Sequence, residues 1–333
     1  MLIKWKEILI AAVMGLACPA LIFSSVQNRA EGSNAPSNDT PIQTTQATAA
    51  EEVTEPDREL LTVQVLMEDG TIQQQELESY ITSVVLREMP AEFEPEALKA
   101  QAVVARTYTL RRKKNAGKHA GADICTDPSC CQGYWDVSSY LREGGSQESV
   151  NKVSEAVKAT RAQVLTYQGK LIEATYFSCS GGMTEDAAAV WGSDLPYLQA
   201  VKSPGEEQAQ HYTDTVSFSA EDFQTKLQTK LSGSPETWIG EVTYTEGGGV
   251  ATMRIGEQTF TGVQLRQKLG LRSTAMAITA VGNRVTVTTK GFGHRVGMSQ
   301  YGADAMAVTG STYDEILIHY YQKTQLQLWS AVD

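Results

Sequence analysis

Two prolines, Pro90 and Pro95, separate a pair of helical segments, and this break constrains the fold more than any other feature of the chain. Before it, apolar side chains recur at helical spacing, at Leu77, Ile81 and Val84. The residue before a proline is disfavoured in the helical region, so the first helix, over residues 76–88, must end there. Proline is favoured in the first turn of a helix, which predicts a second helix over residues 95–113. This second segment is apolar on most sides, so we expect it to be buried.

The apolar face of the first helix ends on a carboxylate. Glu88 occupies the position where the spacing predicts a core residue. Burial disfavours the charged form of a carboxyl group, and so does the negative end of the helix dipole, so we expect a raised pKa. Such a group holds a proton near neutral pH and can act as a general acid. Two structural alternatives stay open: a buried salt bridge to Arg106 or Lys99, and a helix end that turns Glu88 into solvent.

The size and charge of the chain favour some classes of protein over others. Its 333 residues are 41% hydrophobic and 20% charged, which is enough to build a sizeable core. The formal net charge of −11 argues against a nucleic-acid partner and against an anionic lipid surface. An acidic chain is compatible with a neutral or partly cationic target such as a polysaccharide.

The first 26 residues have the pattern of a membrane-targeting segment. Two lysines precede an apolar run over residues 8–26, which is long enough for a short membrane span. The leading lysines favour an N-terminus in the cytoplasm and a globular part outside. No small-residue cleavage site stands out, so an uncleaved signal anchor over residues 1–26 is preferred to a removed signal peptide. A lipoprotein attached at Cys18 is disfavoured because Gly15 stands where an aliphatic residue is needed.

The composition changes twice after this segment. Residues 27–58 are rich in small and polar residues and contain no aromatic side chain, so we predict a flexible linker. The globular catalytic domain is then residues 59–333. Strand-like alternation and helical periodicity both occur in it, which predicts the α+β class. The sequence pattern changes again over residues 217–271, which predicts a smaller inserted α+β lobe with a cleft between it and the larger lobe.

A short loop concentrates thiol and imidazole groups. His119, Cys125 and Cys131 follow one another at intervals of six residues, and Cys130 lies beside the last. Thiolate and imidazole ligands in one loop suit zinc, which usually takes four ligands or three and a water. The spacing differs from that of a standard zinc finger. A disulfide between Cys125 and Cys131 is the alternative outside the cytoplasm.

Two glycine-rich segments have the composition of ligand-binding loops. The stretch "FSCSGG" is followed by Trp191 and Tyr197, whose rings could stack on sugars, and "GFGHRVGMSQYG" reads as a polar loop at a pocket. Small residues let the backbone approach a ligand closely. The alternatives are tight turns with core aromatic side chains, and a cysteine nucleophile in which Cys179 is paired with His294 or His119.

Taken together, these segments resemble the stage II sporulation protein D family (SpoIID, within the wider SpoIID/LytB family). The resemblance covers about residues 59–325. It rests on motifs that occur in the same order: "LREMPAEFEPEALKAQAVVARTY", "CTDPSCCQGYW", "FSCSGGMTE", "VWGSDLPYLQAV", "LGLRS" and "GFGHRVGMSQYGADAMA".

The resemblance implies a peptidoglycan lytic transglycosylase. Such an enzyme cuts the glycan between N-acetylmuramic acid and N-acetylglucosamine, leaves a 1,6-anhydro-muramyl end, and prefers strands stripped of stem peptides. Glycoside hydrolases usually need two carboxylates. In a lytic transglycosylase the 6-hydroxyl of the sugar attacks in place of water, so one carboxyl group serves first as acid and then as base. Glu88 occupies the matching position in the family motif, so the resemblance implies this role for Glu88.

The resemblance also implies further site residues and partners. Expected sugar contacts are Lys99, Arg106, Ser178, Ser180, Gly181, His294 and Gln300. It favours a structural zinc held by His119, Cys125 and Cys131, although Cys130 stands where many relatives have histidine. The family acts from the mother-cell membrane during engulfment, with a peptidoglycan amidase and a membrane scaffold protein.

Two other functions stay open. Some relatives act as amidase enhancers, which bind and stimulate a partner without cutting glycan. A conventional glycoside hydrolase is the other possibility, and it requires a second carboxylate in the cleft. Glu173, Glu185 and Asp186 are available for that role.

Overall fold

The computed structural model describes residues 61–115, 117–210 and 212–332. They belong to one compact unit, Asp57–Asp333. The predicted signal anchor and linker, residues 1–26 and 27–58, lie outside the described residues and stay predictions. Each helix in the described part of the chain is too short or too polar to cross a membrane.

Helices and strands alternate irregularly along the chain, which confirms the α+β class. In chain order, the described α-helices are α1 (Leu77–Glu88), α2 (Pro95–Lys114), α3 (Val137–Arg142), α4 (Gln147–Ala159), α5 (Ala187–Trp191), α6 (Ala220–Leu227), α7 (Gly262–Leu269), α8 (Gln300–Val308) and α9 (Tyr313–Tyr320). The described strands are β1 (Thr62–Leu66), β2 (Ile72–Glu76), β3 (Ile124–Cys125), β4 (Gln163–Tyr167), β5 (Lys170–Leu171), β6 (Tyr176–Phe177), β7 (Thr213–Ser219), β8 (Ile239–Tyr244), β9 (Val250–Ile255), β10 (Gln258–Thr261), β11 (Ala275–Val281), β12 (Arg284–Lys290), β13 (Met298–Ser299) and β14 (Gln325–Leu328).

The sheets formed by the described residues are small. Their strand orders are β2-β1-β3, β14-β4-β5, β13-β6, β11-β12-β7 and β10-β9-β8. The β1–β3 and β13–β6 pairs are parallel, and the other pairs are antiparallel. The parallel β6–β13 pair brings "YFSCSGG" beside "GMSQYG", although the two segments are far apart in sequence.

The buried helix α2 is the centre of the first hydrophobic core. It packs against α1, α4, α8 and α9, and its middle residues from Ala100 to Leu110 are all buried. The first helix ends where the sequence predicts, because Met89 adopts an extended backbone before Pro90 while its N–H still bonds Val85 O. Pro95 is the first residue of α2. Both helix boundaries that the prolines predict are confirmed.

A second hydrophobic core is formed by buried side chains between Ala220 and Val287 in the sequence. Phe223, Leu265, Val285 and Val287 are each 0% exposed in it. It extends beyond the predicted limits of residues 217–271, because β12 pairs with β7 along its full length, β11 pairs with β12, and both contribute buried side chains. The alternation of apolar and polar residues in β11 and β12 predicts two strands. It does not indicate which of the two hydrophobic cores their apolar faces cover.

Candidate active site

A cavity of about 680 Å³ opens beside the C-terminal end of α1. The chain segments that form it include α1, α2, the cysteine loop (residues 119–133), β6, α5, the loop after β12 and the start of α8. Its lining residues are Glu88, Tyr108, Arg112, Pro128, Cys131, Glu173, Thr175, Tyr176, Phe177, Ser178, Trp191, Phe292, Gly293, His294 and Gln300. The volume is in the usual range for ligand sites.

A second, smaller cavity of about 370 Å³ continues on the other side of Glu88. It shares Glu88, Ser178 and Gln300 with the first and is also lined by Arg87 and Trp135. The Arg87 guanidinium lies 5.4 Å from the centre of the Trp135 ring. Glu88 therefore lines two adjoining cavities.

Glu88 faces these cavities and not a salt-bridge partner. Burial raises its pKa above the ordinary value of 4.5, although a hydrogen bond from Gly133 N–H to Oε1 and the nearby Arg87 charge act in the opposite direction. The salt bridges considered from the sequence are absent, because Arg106 binds Glu78 and Lys99 binds Glu96 in the described structure. A protonated carboxyl group in a partly buried site can donate its proton to a bound substrate.

Three neighbours fix the position of Glu88. Gln300 Nε2 donates to the Glu88 backbone carbonyl at 3.0 Å. The Tyr176 hydroxyl donates to Gln132 Oε1 at 3.4 Å and lies close enough to the Glu88 carboxyl group to lower the pKa of that group. Burial and the Glu88 charge raise the pKa of Tyr176 well above 10, so its hydroxyl stays protonated. Gly133 leaves room for the carboxyl group, since a Cβ there would lie 3.0 Å from Glu88 Oε1. The sequence motifs indicate Gln300, but no local signal indicates Tyr176 or Gly133.

Aromatic rings form one wall of the larger cavity. Trp191 is 42% exposed and Phe292 is 37% exposed, which is unusual for such large apolar side chains and suits stacking on sugar rings. His294 lies 5.2 Å from the Trp191 ring, and its Nδ1 accepts from Val296 N–H. Burial lowers the pKa of His294 to about 4, so the imidazole is neutral near pH 7. Tyr197, by contrast, is 6% exposed and belongs to the core.

The structure brings together only some of the sugar contacts that the family resemblance implies. Ser178, His294 and Gln300 line the cavity with Glu88. Ser180 and Gly181 lie behind it, where both backbone N–H groups donate to Glu206 Oε2 at 2.9 Å. These two residues therefore shape the loop that carries Ser178.

Lys99 and Arg106 lie away from the cavity lining. Lys99 is partly exposed beside Tyr313, and Arg106 is 0% exposed in the core. Arg106 donates to Glu78 from Nε and Nη2, and to the carbonyl oxygens of Val157 and Gln163. The guanidinium thus ties α1 and α4 to α2, which is a structural role.

Replacing Arg106 by Met is expected to lower the free energy of unfolding by about 3 kcal/mol, because Glu78 and two buried carbonyl groups lose their donor. Urea unfolding of residues 57–333 measures this change. The control is Lys99→Met, which removes a partly exposed ion pair and is expected to cost less than about 1 kcal/mol. Normal stability with weaker glycan binding in Arg106→Met would instead indicate a sugar contact.

The structure argues against a cysteine nucleophile. Cys179 is 0% exposed, and its Sγ lies 3.4 Å from Glu206 Oε2. Burial and the Glu206 charge raise the pKa of this thiol to about 12. A buried, protonated thiol does not attack a substrate.

The cysteine loop gathers a donor set for one metal ion. The ligand atoms of His119, Cys125, Cys130 and Cys131 all lie within 4.8 Å of one another. His119 Nε2 is 3.3 Å from Cys131 Sγ and 3.9 Å from Cys130 Sγ. Three thiols and one imidazole in this arrangement fit tetrahedral zinc. Cys130, which the family resemblance left in doubt, belongs to the set.

The same cysteines are not joined to each other. Cys125, Cys130 and Cys131 all have free thiols. Burial raises the pKa of Cys125 to about 12. Burial acts in the same sense on Cys130, but hydrogen bonds from Cys125 and Lys118 outweigh it and lower that pKa. A Cys125–Cys131 disulfide is therefore absent from the described structure.

One of the three candidate second carboxylates lines the cavity. Glu173 does so, and it is ion-paired with Arg111 and Arg112 at 2.8 and 2.7 Å. Glu185 is 1% exposed and paired with Arg295. Asp186 caps α5. The hydrolase alternative therefore depends on Glu173.

Comparison with known proteins places the chain in a family of sporulation proteins. The family model described as "Stage II sporulation protein" (SpoIID) matches residues 68–167, which include Glu88 and the cysteine loop. Stage II sporulation protein D of Bacillus subtilis (strain 168) is 43% identical over 255 residues, which cover 75% of this chain and 74% of that protein. Its counterpart in Bacillus amyloliquefaciens is 43% identical over 251 residues, covering 74% of this chain and 72% of that protein. The chain belongs to the stage II sporulation protein D family, which confirms the resemblance seen in the motifs.

A more distant relative has a different name. The "Amidase enhancer" of Bacillus subtilis (strain 168) is 30% identical over 300 residues, which cover 74% of this chain and 40% of that protein. The chain therefore spans less than half of that relative.

Proposed function

We propose that this chain is a peptidoglycan lytic transglycosylase that acts in sporulation. The observation that carries the proposal is Glu88, a partly buried carboxyl group with a raised pKa that is reached from two adjoining cavities. Exposed aromatic side chains on one side and a tryptophan–arginine pair on the other suit consecutive sugar rings. Family membership supports the sporulation role.

The proposed reaction uses one carboxyl group twice. Protonated Glu88 gives its proton to the glycosidic oxygen as the bond to C1 of N-acetylmuramic acid breaks. The 6-hydroxyl of the same sugar attacks C1, and its proton passes to the Glu88 carboxylate, which restores the acid. Gly133 N–H donates to this carboxylate and stabilises it between the two proton transfers. No water enters the reaction, so the products together have the composition of the substrate.

The metal site has a structural role in this proposal. His119, Cys125, Cys130 and Cys131 would hold zinc with no open coordination position. When bound, the ion supplies a cross-link within the loop and takes no part in the bond changes. The ligand Cys131 lies two residues before Gly133, so the bound ion would fix the position of the Gly133 N–H that donates to Glu88 Oε1.

Location and partners follow from the same proposal. The apolar run over residues 8–26 would anchor the chain in the mother-cell membrane, with residues 59–333 on the extracytoplasmic side. The substrate would be glycan strands stripped of stem peptides. A peptidoglycan amidase would supply such strands, and the relative named amidase enhancer supports a link to such an enzyme. A membrane scaffold protein is the further partner that we propose.

Mass spectrometry of the products is the direct test of the reaction. Residues 57–333, incubated with stripped glycan strands, are expected to release fragments with 1,6-anhydro-muramyl ends. Reducing ends formed with uptake of water would instead indicate a hydrolase, with Glu173 as the second carboxylate.

The second candidate is an amidase activator that cuts no glycan. The relative named amidase enhancer favours it. If the purified protein cleaves neither stripped nor peptide-bearing strands but increases the rate of a peptidoglycan amidase, this second function is correct.

A further inference from the structure

We propose that Arg112 recognises the free lactyl carboxylate of an N-acetylmuramic acid residue bound in the larger cavity. This inference rests on the proposed function and deepens it, because it identifies the residue that distinguishes a stripped glycan strand from one that carries peptides.

Arg112 is the arginine that lines the same cavity as Glu88. Its side chain is 30% exposed. One edge of the guanidinium is held by Nη2, which donates to Glu173 Oε1 at 2.7 Å, and one face lies 4.6 Å from the centre of the Tyr108 ring. Nε is buried and has no hydrogen-bond partner among the described residues, so a ligand would be met by the terminal nitrogens. Because a guanidinium has four N–H groups on its two terminal nitrogens, the contact with Glu173 fixes the group in place and leaves further N–H groups of Nη1 and Nη2 for a ligand.

Arg112 belongs to a cluster of three charged side chains with one net positive charge. Arg111 and Arg112 share a single carboxylate, because Glu173 accepts from Arg111 through Oε2 and from Arg112 through Oε1. The two guanidinium groups and the one carboxylate therefore leave one net positive charge on the cluster, and Arg112 is the cationic member that lines the cavity.

The chemistry of the glycan supplies a matching anion. N-acetylmuramic acid differs from N-acetylglucosamine by a lactyl ether on the ring. In a stripped strand this ether ends in a carboxylate, whereas in a peptide-bearing strand the same carbon is in a neutral amide. Arginine pairs with carboxylates through parallel, charge-assisted hydrogen bonds that an amide cannot match. A site with Arg112 beside the bound sugar thus favours the stripped strand by charge as well as by size.

The test compares two substrates of nearly equal size. One is stripped glycan, and the other is the same glycan with its lactyl carboxylates converted to methylamides. The full-length protein is expected to have a lower KM for the carboxylate form. Arg112→Gln is expected to raise that KM about tenfold or more, with little change in kcat, and to leave the KM for the methylamide form unchanged. Arg112→Lys keeps the charge without the planar donor pair and is expected to fall between the two.

Arg111→Gln is the matched control. Arg111 lies on the same helix and also binds Glu173, but its side chain is outside the cavity lining. This variant lowers the charge of the cluster without removing a donor from the cavity, so it is expected to keep the preference for the carboxylate form, with a smaller rise in KM than Arg112→Gln. Equal losses on both substrates in Arg112→Gln, or an unchanged preference, would overturn the assignment.

Binding separates this inference from the proposed reaction. The affinity of the full-length Glu88→Gln protein for each glycan is measured by fluorescence anisotropy, with and without the added Arg112→Gln change. If the Glu88→Gln protein with Arg112 intact binds both glycans with equal affinity, the role of Arg112 is overturned whether or not the protein is an enzyme. A preference that Arg112→Gln abolishes supports the role even if no cleavage is found, in which case only the proposed reaction fails.

Discussion

Glu88→Gln is expected to reduce the rate of glycan cleavage by about 10²- to 10⁴-fold, because the amide cannot give a proton to the glycosidic oxygen. Glutamine has nearly the same shape, and it can still accept the Gly133 N–H bond, so the fold and glycan binding should be kept. The measurement is the initial rate of product formation by residues 57–333 on stripped strands. Glu155→Gln removes an equal charge from the exposed face of α4 and serves as the control.

The pH dependence is a second check on Glu88. Its pKa is raised by burial, so the protonated form persists above pH 4.5 and is lost at higher pH. The rate at low substrate concentration should therefore fall as the pH rises through that raised pKa. If cleavage required the ionised form of Glu88, the rate would instead increase as the pH rises through the same pKa.

Glu173→Gln distinguishes the transglycosylase from a hydrolase. If Glu88 is the only acid and base, Glu173→Gln should weaken the support of Arg112 but leave anhydro-muramyl products. A loss as large as that of Glu88→Gln, together with reducing-end products in the unmodified protein, would contradict the proposal that one carboxyl group suffices.

Loss of the metal is the second change with a large expected effect. Residues 57–333 should bind one zinc ion per chain, because four donor atoms lie within 4.8 Å of one another. Cys125→Ser removes the buried ligand and should reduce the zinc content and lower the stability by roughly 3 kcal/mol, or about 6–12 °C in the thermal midpoint. Cleavage should fall with it, since the cysteine loop also carries Gly133. Metal analysis, thermal unfolding and the cleavage rate measure these effects.

A cysteine outside the cluster provides the control. Cys179→Ala should leave the zinc content unchanged, because that thiol is buried beside Glu206. Thiol titration of the denatured protein after zinc removal should find four free cysteines in residues 57–333. Absence of zinc together with two missing thiols would overturn the metal site in favour of the Cys125–Cys131 disulfide.

The sequence by itself determined the local features of the site. Pro90 and Pro95 fixed where α1 ends and α2 begins. A proline restricts its own backbone angle and disfavours the helical conformation of the residue before it, so both effects are local. Helical spacing put Glu88 at the end of an apolar face, and short spacing predicted that His119, Cys125 and Cys131 meet in one loop. These inferences depend on backbone geometry over a few residues, which the order of residues specifies.

Only the tertiary structure decided which residues surround Glu88. Its hydrogen bond to Gly133 joins residues 45 apart, and the one from Gln300 Nε2 joins residues 212 apart. Arg106 and Arg112 lie on the same helix, but six residues rotate a side chain by about 240°, so one is buried against Glu78 and the other lines the cavity. Periodicity marks both as breaks in an apolar pattern. What each guanidinium meets depends on how α1, α4 and the loop after β12 pack around α2, and this packing comes from contacts distant in sequence.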